Sequence, residues 1–128
     1  MKKLWYTLVM FYKKCRNPES VFYGNGLKRD TAIQCVGTGW KPLIEKLYDA
    51  KPKSVHVLQV KEKWGGLRFY VSPCPDWYFD LISFYEDESY QLCEVCGEKG
   101  TLRNDLGWVL TLCDKHYEEV KNKRKESL

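Results

Sequence analysis

Two short spacings near the C-terminal end constrain this chain more than any other feature. Cys93-Glu94-Val95-Cys96-Gly97 places two thiols two residues apart, Cys113-Asp114-Lys115-His116 supplies a thiol and an imidazole, and 16 residues separate the two halves. A tight turn after Cys93 presents both sulfurs to one side, and Gly97 takes the unusual backbone that such a turn needs. Between the halves, Thr101-Leu102-Arg103 and Trp108 to Leu112 read as strands about a turn at Asn104 to Gly107, and Asp114 onward reads as a helix. Knuckle, hairpin, then a ligand pair at a helix start is the treble-clef order, and three thiolates with one imidazole suit zinc. The expectation is one structural zinc on Cys93, Cys96, Cys113 and His116. Four protein ligands leave no open position, so this ion holds the fold together and activates no water.

Two rival chemistries for the same residues fare worse. A redox Cys-x-x-Cys belongs in a thioredoxin-like βαβ setting, which the residues after Cys96 do not offer. A treble-clef nuclease needs a histidine base in the hairpin, and Thr101 to Leu112 contains none.

The 128 residues suffice for one ordinary domain carrying a small metal-stapled appendage. The sequence divides into an α+β core over 1–90, a zinc module over 91–120 and a frayed charged tail over 121–128. Of the six cysteines, two are paired by spacing and two are isolated, which fits cytosolic thiols plus metal better than a disulfide framework. Met1-Lys2-Lys3 followed by Leu4 to Tyr12 has the basic start and apolar run of a signal peptide. No small-residue cleavage site follows, and nine residues fall short of the roughly 20 that span a bilayer. The expected location is cytoplasmic, away from membranes.

Within 1–90, Leu4, Leu8, Phe11, Tyr12 and Cys15 predict a helix over 3–16, stopped at Asn17-Pro18. Gly24-Asn25-Gly26 marks a turn, and Ala32 to Val36, with Cys35 packed inside, suggests a short strand. Gly37-Thr38-Gly39-Trp40-Lys41-Pro42 opens a helix that ends near Ala50, with proline in the first turn where its missing N–H costs nothing. Gly37-Thr38-Gly39 lacks the Gly-Lys-Ser/Thr end of a phosphate loop. A third helix spans 76–90, with Asp76 as cap and Trp77, Leu81, Ile82 and Tyr85 on its buried face. Trp5, Trp40, Trp64, Trp77 and Trp108 are expected as core anchors.

Residues 55–71 carry the most legible pattern, two β-branched and aromatic runs about Gly65-Gly66. With those glycines as the loop, Trp64 faces Leu67, Lys63 faces Arg68, Glu62 faces Phe69, Lys61 faces Tyr70 and Val60 faces Val71. Leu58, Val60, Trp64, Leu67, Phe69 and Val71 then form the core face, broken by Glu62 and His56. Gln59, Lys61, Lys63, Arg68, Tyr70 and Ser72 form the other. Lys61, Lys63, Arg68 and Tyr70 make a basic surface with an aromatic that suits phosphates and bases, although a solvated hairpin face shows the same alternation. His56 is expected as a neutral core histidine. Charge is uneven along the chain. Residues 76–98 hold seven carboxylates and no basic side chain, whereas the chain as a whole is +4, which points first to pairing between neighbouring elements.

Gly37-Thr38-Gly39-Trp40, Val60-Lys61-Glu62-Lys63-Trp64-Gly65-Gly66-Leu67-Arg68-Phe69-Tyr70, the Cys93 knuckle, Gly107-Trp108 and Thr111-Leu112-Cys113 with His116 together resemble a family of small bacterial and bacteriophage proteins of uncharacterised function. The resemblance covers roughly residues 35–118, and that family usually carries aspartate where Thr38 stands. It implies an intracellular, often phage-encoded setting, with host cytoplasm as the location. The combined expectation is an α+β fold, an antiparallel hairpin packed with helices plus a treble-clef-like zinc module. Such a chain would be no enzyme and would act by binding a protein, a host protein in a phage setting; the alternative is nucleic-acid binding through the basic hairpin face.

Overall fold

The computed structural model describes residues 26–126, so the helix expected over 3–16 lies outside the described residues. The fold is α+β, with four helices and two small antiparallel sheets among those residues. No helix among them is long and apolar enough to cross a membrane.

Helix α1 is Arg29–Ile33. It replaces the strand expected at Ala32 to Val36, because a helical turn buries Ala32 while Arg29 reaches Glu45 and Asp49, each at 2.9 Å. Cys35 is buried and disulfide-bonded, which corrects the expectation of cytosolic thiols at this position. After a 3-10 turn at Thr38–Trp40, α2 runs Lys41–Ala50 with Pro42 in its first turn and Leu43, Ile44 and Leu47 buried. Of the described tryptophans only Trp40 anchors a core; Trp64, Trp77 and Trp108 are exposed.

Strands β1 (Val57–Lys63) and β2 (Gly66–Val71) pair antiparallel, but not in the expected register. Lys63 faces Gly66, Glu62 faces Leu67, Lys61 faces Arg68, Val60 faces Phe69 and Gln59 faces Tyr70. The loop is Trp64-Gly65, with φ of 55° and 82°, the left-handed pair that a two-residue hairpin turn requires. Gly66 serves a different purpose: a Cβ there would lie 2.3 Å from the Tyr90 ring, which covers this end of the hairpin. Partners therefore slip by two positions, which preserves the faces. An irregularity between Val57 and Gln59 then turns Val57 into the core and leaves Leu58 outside.

Helix α3 (Asp76–Ser89) closes the sheet. Pro75, not Asp76, is the capping position, and the buried face is centred on Tyr78, Ile82 and Ser89, so Trp77 points outward while Leu81 and Tyr85 keep partial core contact. Tyr78 donates its hydroxyl to the Leu47 carbonyl at 2.7 Å. The last turn of α3 also takes up amides of β2 that β1 does not use: Leu67 N–H donates to Ser89 Oγ at 2.8 Å and Phe69 N–H to Glu86 Oε2 at 2.9 Å. Burial raises the Glu86 carboxyl above its ordinary range, against the pull of the Phe69 amide and Arg68. None of the seven carboxylates of 76–98 forms a close ion pair among the described residues; the expected complementarity with the basic hairpin is met at Glu86, which Arg68 attracts across β2.

Beyond Tyr90, β3 (Thr101–Arg103) pairs with β4 (Leu110–Leu112), and α4 runs Asp114–Glu126. That helix continues through most of the expected frayed tail. Its Val120 is buried, and Lys123, Arg124 and Lys125 sit in its last turn, where the helix dipole favours cations.

Candidate metal centre

The knuckle is shaped by its own backbone. Cys93 N–H donates to the Glu98 carbonyl at 2.7 Å and Gly97 N–H returns to the Cys93 carbonyl at 2.8 Å, with Gly97 at φ 78°. This loop turns Cys93 and Cys96 to one side. Glu94 N–H donates to Thr111 O at 3.0 Å, tying the knuckle to β4, whose end delivers Cys113. Helix α4 begins one residue later and brings His116 round in its first turn.

The four side chains expected from sequence are thus assembled, with all their ligand atoms within 4.8 Å of one another. Cys96 Sγ lies 3.8 Å from Cys113 Sγ, and His116 Nδ1 lies 3.1 Å from Cys113 Sγ and 3.6 Å from Cys93 Sγ. Sulfurs bound to a tetrahedral ion by bonds of about 2.3 Å sit roughly 3.8 Å apart, so the cluster has the dimensions to hold one metal ion. The other imidazole nitrogen, Nε2, faces Glu119 at 4.0 Å, the type of outer carboxylate that orients a ligating histidine. Burial pushes the Cys93 thiol up to about 11, against amides of Cys113, Cys96 and Val95 directed at its sulfur. At Cys113 burial also opposes ionisation, but the amides of His116 and Lys115, with the neighbouring thiols, bring the thiol below its ordinary value. Amides aimed at sulfur stabilise thiolate, the form that binds metal.

A seam that the sequence did not reveal joins this centre to the apolar core. Gly39 N–H donates to Glu94 O at 2.7 Å, Thr38 Oγ1 to Val95 O at 2.8 Å, Trp40 Nε1 to Leu92 O at 3.0 Å, and Gly37 N–H to Glu94 Oε2 at 3.2 Å. A Cβ on Gly39 would stand 2.0 Å from the Cys93 carbonyl oxygen. The Gly37-Thr38-Gly39-Trp40 run is therefore the platform on which residues 92–97 rest. Only its two closely spaced glycines could have signalled such contact from sequence. Glu94 is buried to 2% exposure, and burial, reinforced by Glu62, pushes its carboxyl up to about 8.

The hairpin residues Lys61, Lys63, Arg68 and Tyr70 share one face, remote in chemistry from the cluster. Lys61 Nζ stands 5.4 Å over the Tyr70 ring, and Arg68 donates to Tyr90 Oη at 3.1 Å. His56 is half-buried just before β1. No known protein family, curated protein or solved structure matches the chain.

Proposed function

We propose that residues 93–126 are a treble-clef module holding one structural zinc ion, and that the chain is a non-enzymatic module acting by binding a protein. The closed set of three sulfurs and one imidazole carries this reading. Soft ligands in a tetrahedral arrangement suit zinc, and four of them leave it no site for water. Elemental analysis after purification without chelator should find about one zinc per chain; a content far below one equivalent would reject the module.

The outer face of α3 supports a protein partner. Trp77 and Phe84 are 54% and 55% exposed, seven residues apart and so on one side of the helix. Asp80 and Glu88 flank them, and their charges are unpaired among the described residues. Exposed aromatics ringed by carboxylates suit a basic, apolar protein segment and repel nucleic acid. In the phage setting that the sequence resemblance implies, this would be a host protein. Proteins captured by the zinc-loaded chain should be lost with a Trp77→Ser/Phe84→Ser variant; capture unaffected by both changes would remove α3 from the interface.

A further inference from the structure

We propose that the outward face of the β1–β2 hairpin binds single-stranded nucleic acid, with Trp64 and Tyr70 as stacking surfaces and Lys61, Lys63 and Arg68 as phosphate contacts. This site is separate from the α3 face and carries the opposite charge.

The register places Lys63, Lys61 and Gln59 on one strand beside Gly66, Arg68 and Tyr70 on the other, so no strand residue of this face is acidic, and only Arg68 feels the carboxylates of Glu62 and Glu86. Glu62, the one acidic residue of the hairpin, turns to the core side and accepts the Gly65 N–H at 2.7 Å. Neither lysine is in an ion pair among the described residues. Arg68 spends one donor on Tyr90 and a long contact of 3.4 Å on Leu67 O, leaving most of its five donors.

Trp64 is the decisive residue. It is 68% exposed, and it occupies φ 55°, a conformation in which a bulky side chain is an outlier and asparagine or glycine would sit without strain. The turn beneath it is fixed. Thr111 Oγ1 donates to Gly65 O at 2.6 Å, and a Cβ on Gly65 would lie 2.6 Å from Leu102 Cδ1. The second hairpin thus braces the tip of the first, and an exposed indole on a rigid base loses little freedom on binding. Tyr70, 40% exposed, lies four residues along β2 from Gly66, roughly 14 Å at strand rise. An exposed indole at the hairpin tip and a half-exposed tyrosine on the basic face, with Lys61 over its ring, supply the stacking surfaces and charge that single-strand binders combine, whereas duplex bases are already stacked.

The test is fluorescence anisotropy of the zinc-loaded full chain with labelled oligothymidine and oligouridine of about twelve nucleotides, over a range of salt. A duplex of the same length and polyglutamate serve as comparison and competitor. Binding of a single strand should weaken with salt, and Lys61→Gln/Lys63→Gln should reduce the slope of log K against log salt by about 1.4, at about 0.7 per phosphate contact. Trp64→Asn, which suits the turn and keeps the fold, should lose about tenfold in affinity with an unchanged slope. Overturning results are absence of binding at low salt, equal affinity of Trp64→Asn and parent, preference for duplex, or displacement by polyglutamate as effective as by oligothymidine. The last would make the face a docking site for an acidic protein. Because the Trp77→Ser/Phe84→Ser variant leaves the hairpin intact, it should bind oligothymidine like the parent; loss of binding there would place the strand on α3 and overturn the assignment.

Discussion

Residues 27–92 and residues 93–126 are held together by different means. The first region gathers fifteen buried apolar residues, among them Trp40, Ile44, Leu47, Val60, Leu67, Phe69 and Tyr78, into one core. The second gathers only five, Cys93, Leu106, Leu110, Leu112 and Val120, one of them a member of the Cys/His cluster. Beside that smaller set lie Cys93, Cys96, Cys113 and His116, which could hold a metal ion. The seam at Gly37–Trp40 decides whether the regions fail together.

Metal removal should separate them most sharply. Chelation withdraws about 10 kcal/mol or more of metal-linked folding free energy, so amides of Leu110 and Leu112 should lose hydrogen-exchange protection while those of Arg68 and Phe69 keep theirs. Simultaneous loss in both would show a single cooperative unit. Attack on the apolar core is the converse: Ile44→Ala should cost about 2–5 kcal/mol in denaturant unfolding and, by loosening the platform, weaken zinc binding as well. An unchanged zinc affinity would show that the metal region folds independently.

The seam itself comes next. Gly39→Ala forces a methyl group against the Cys93 carbonyl and should cost about 1–3 kcal/mol, with lower zinc affinity although no ligand has changed. A neutral outcome in both assays would mean that the platform merely adjoins the knuckle. The pH dependence probes the same contact. Glu94 is held near 8 in the fold against an ordinary 4.5, so the folded chain keeps a proton that the unfolded chain releases. Its contribution is complete below 4.5 and is lost as pH rises through about 8. Glu62 and Glu86, also raised by burial, act in the same direction. Thiol protonation at the Cys/His cluster has the opposite sign, so the measurement is the stability of the parent minus that of Glu94→Gln in matched buffers, which should fall as pH rises through about 8. A constant difference would contradict the raised carboxyl. The smallest effect is a gain: Trp64→Asn should stabilise the chain by about 1 kcal/mol by relieving the left-handed backbone, read as a higher melting temperature.

Legibility in the sequence followed the range of the interactions. The Cys/His cluster could be read because its spacing is local and chemically restrictive, and both short strands and the α4 start came with it. The β1–β2 faces were legible from alternation, but the register was not, because Gly66 answers to Tyr90 and not to the turn. The phase of α3 was obscured by aromatics on both sides, so Trp77 and Tyr78 exchanged roles. Ala32 to Val36 has strand composition, and only the ion pairs of the preceding Arg29 to α2 and the burial of Ala32 favour a helix. The Gly37–Trp40 platform, more than fifty residues from its partner, left no periodic trace.

The amides of Leu67 and Phe69, capped by Ser89 and Glu86, bear on how the molecule behaves in a crowd. A two-stranded ribbon with a bare flank is a template onto which another chain can add a strand, the first step toward edge-to-edge aggregation. Along β2 two of those docking points are already filled from α3. Growth of the sheet on that flank would require prying off a helix, so partners that join by strand addition are turned away there.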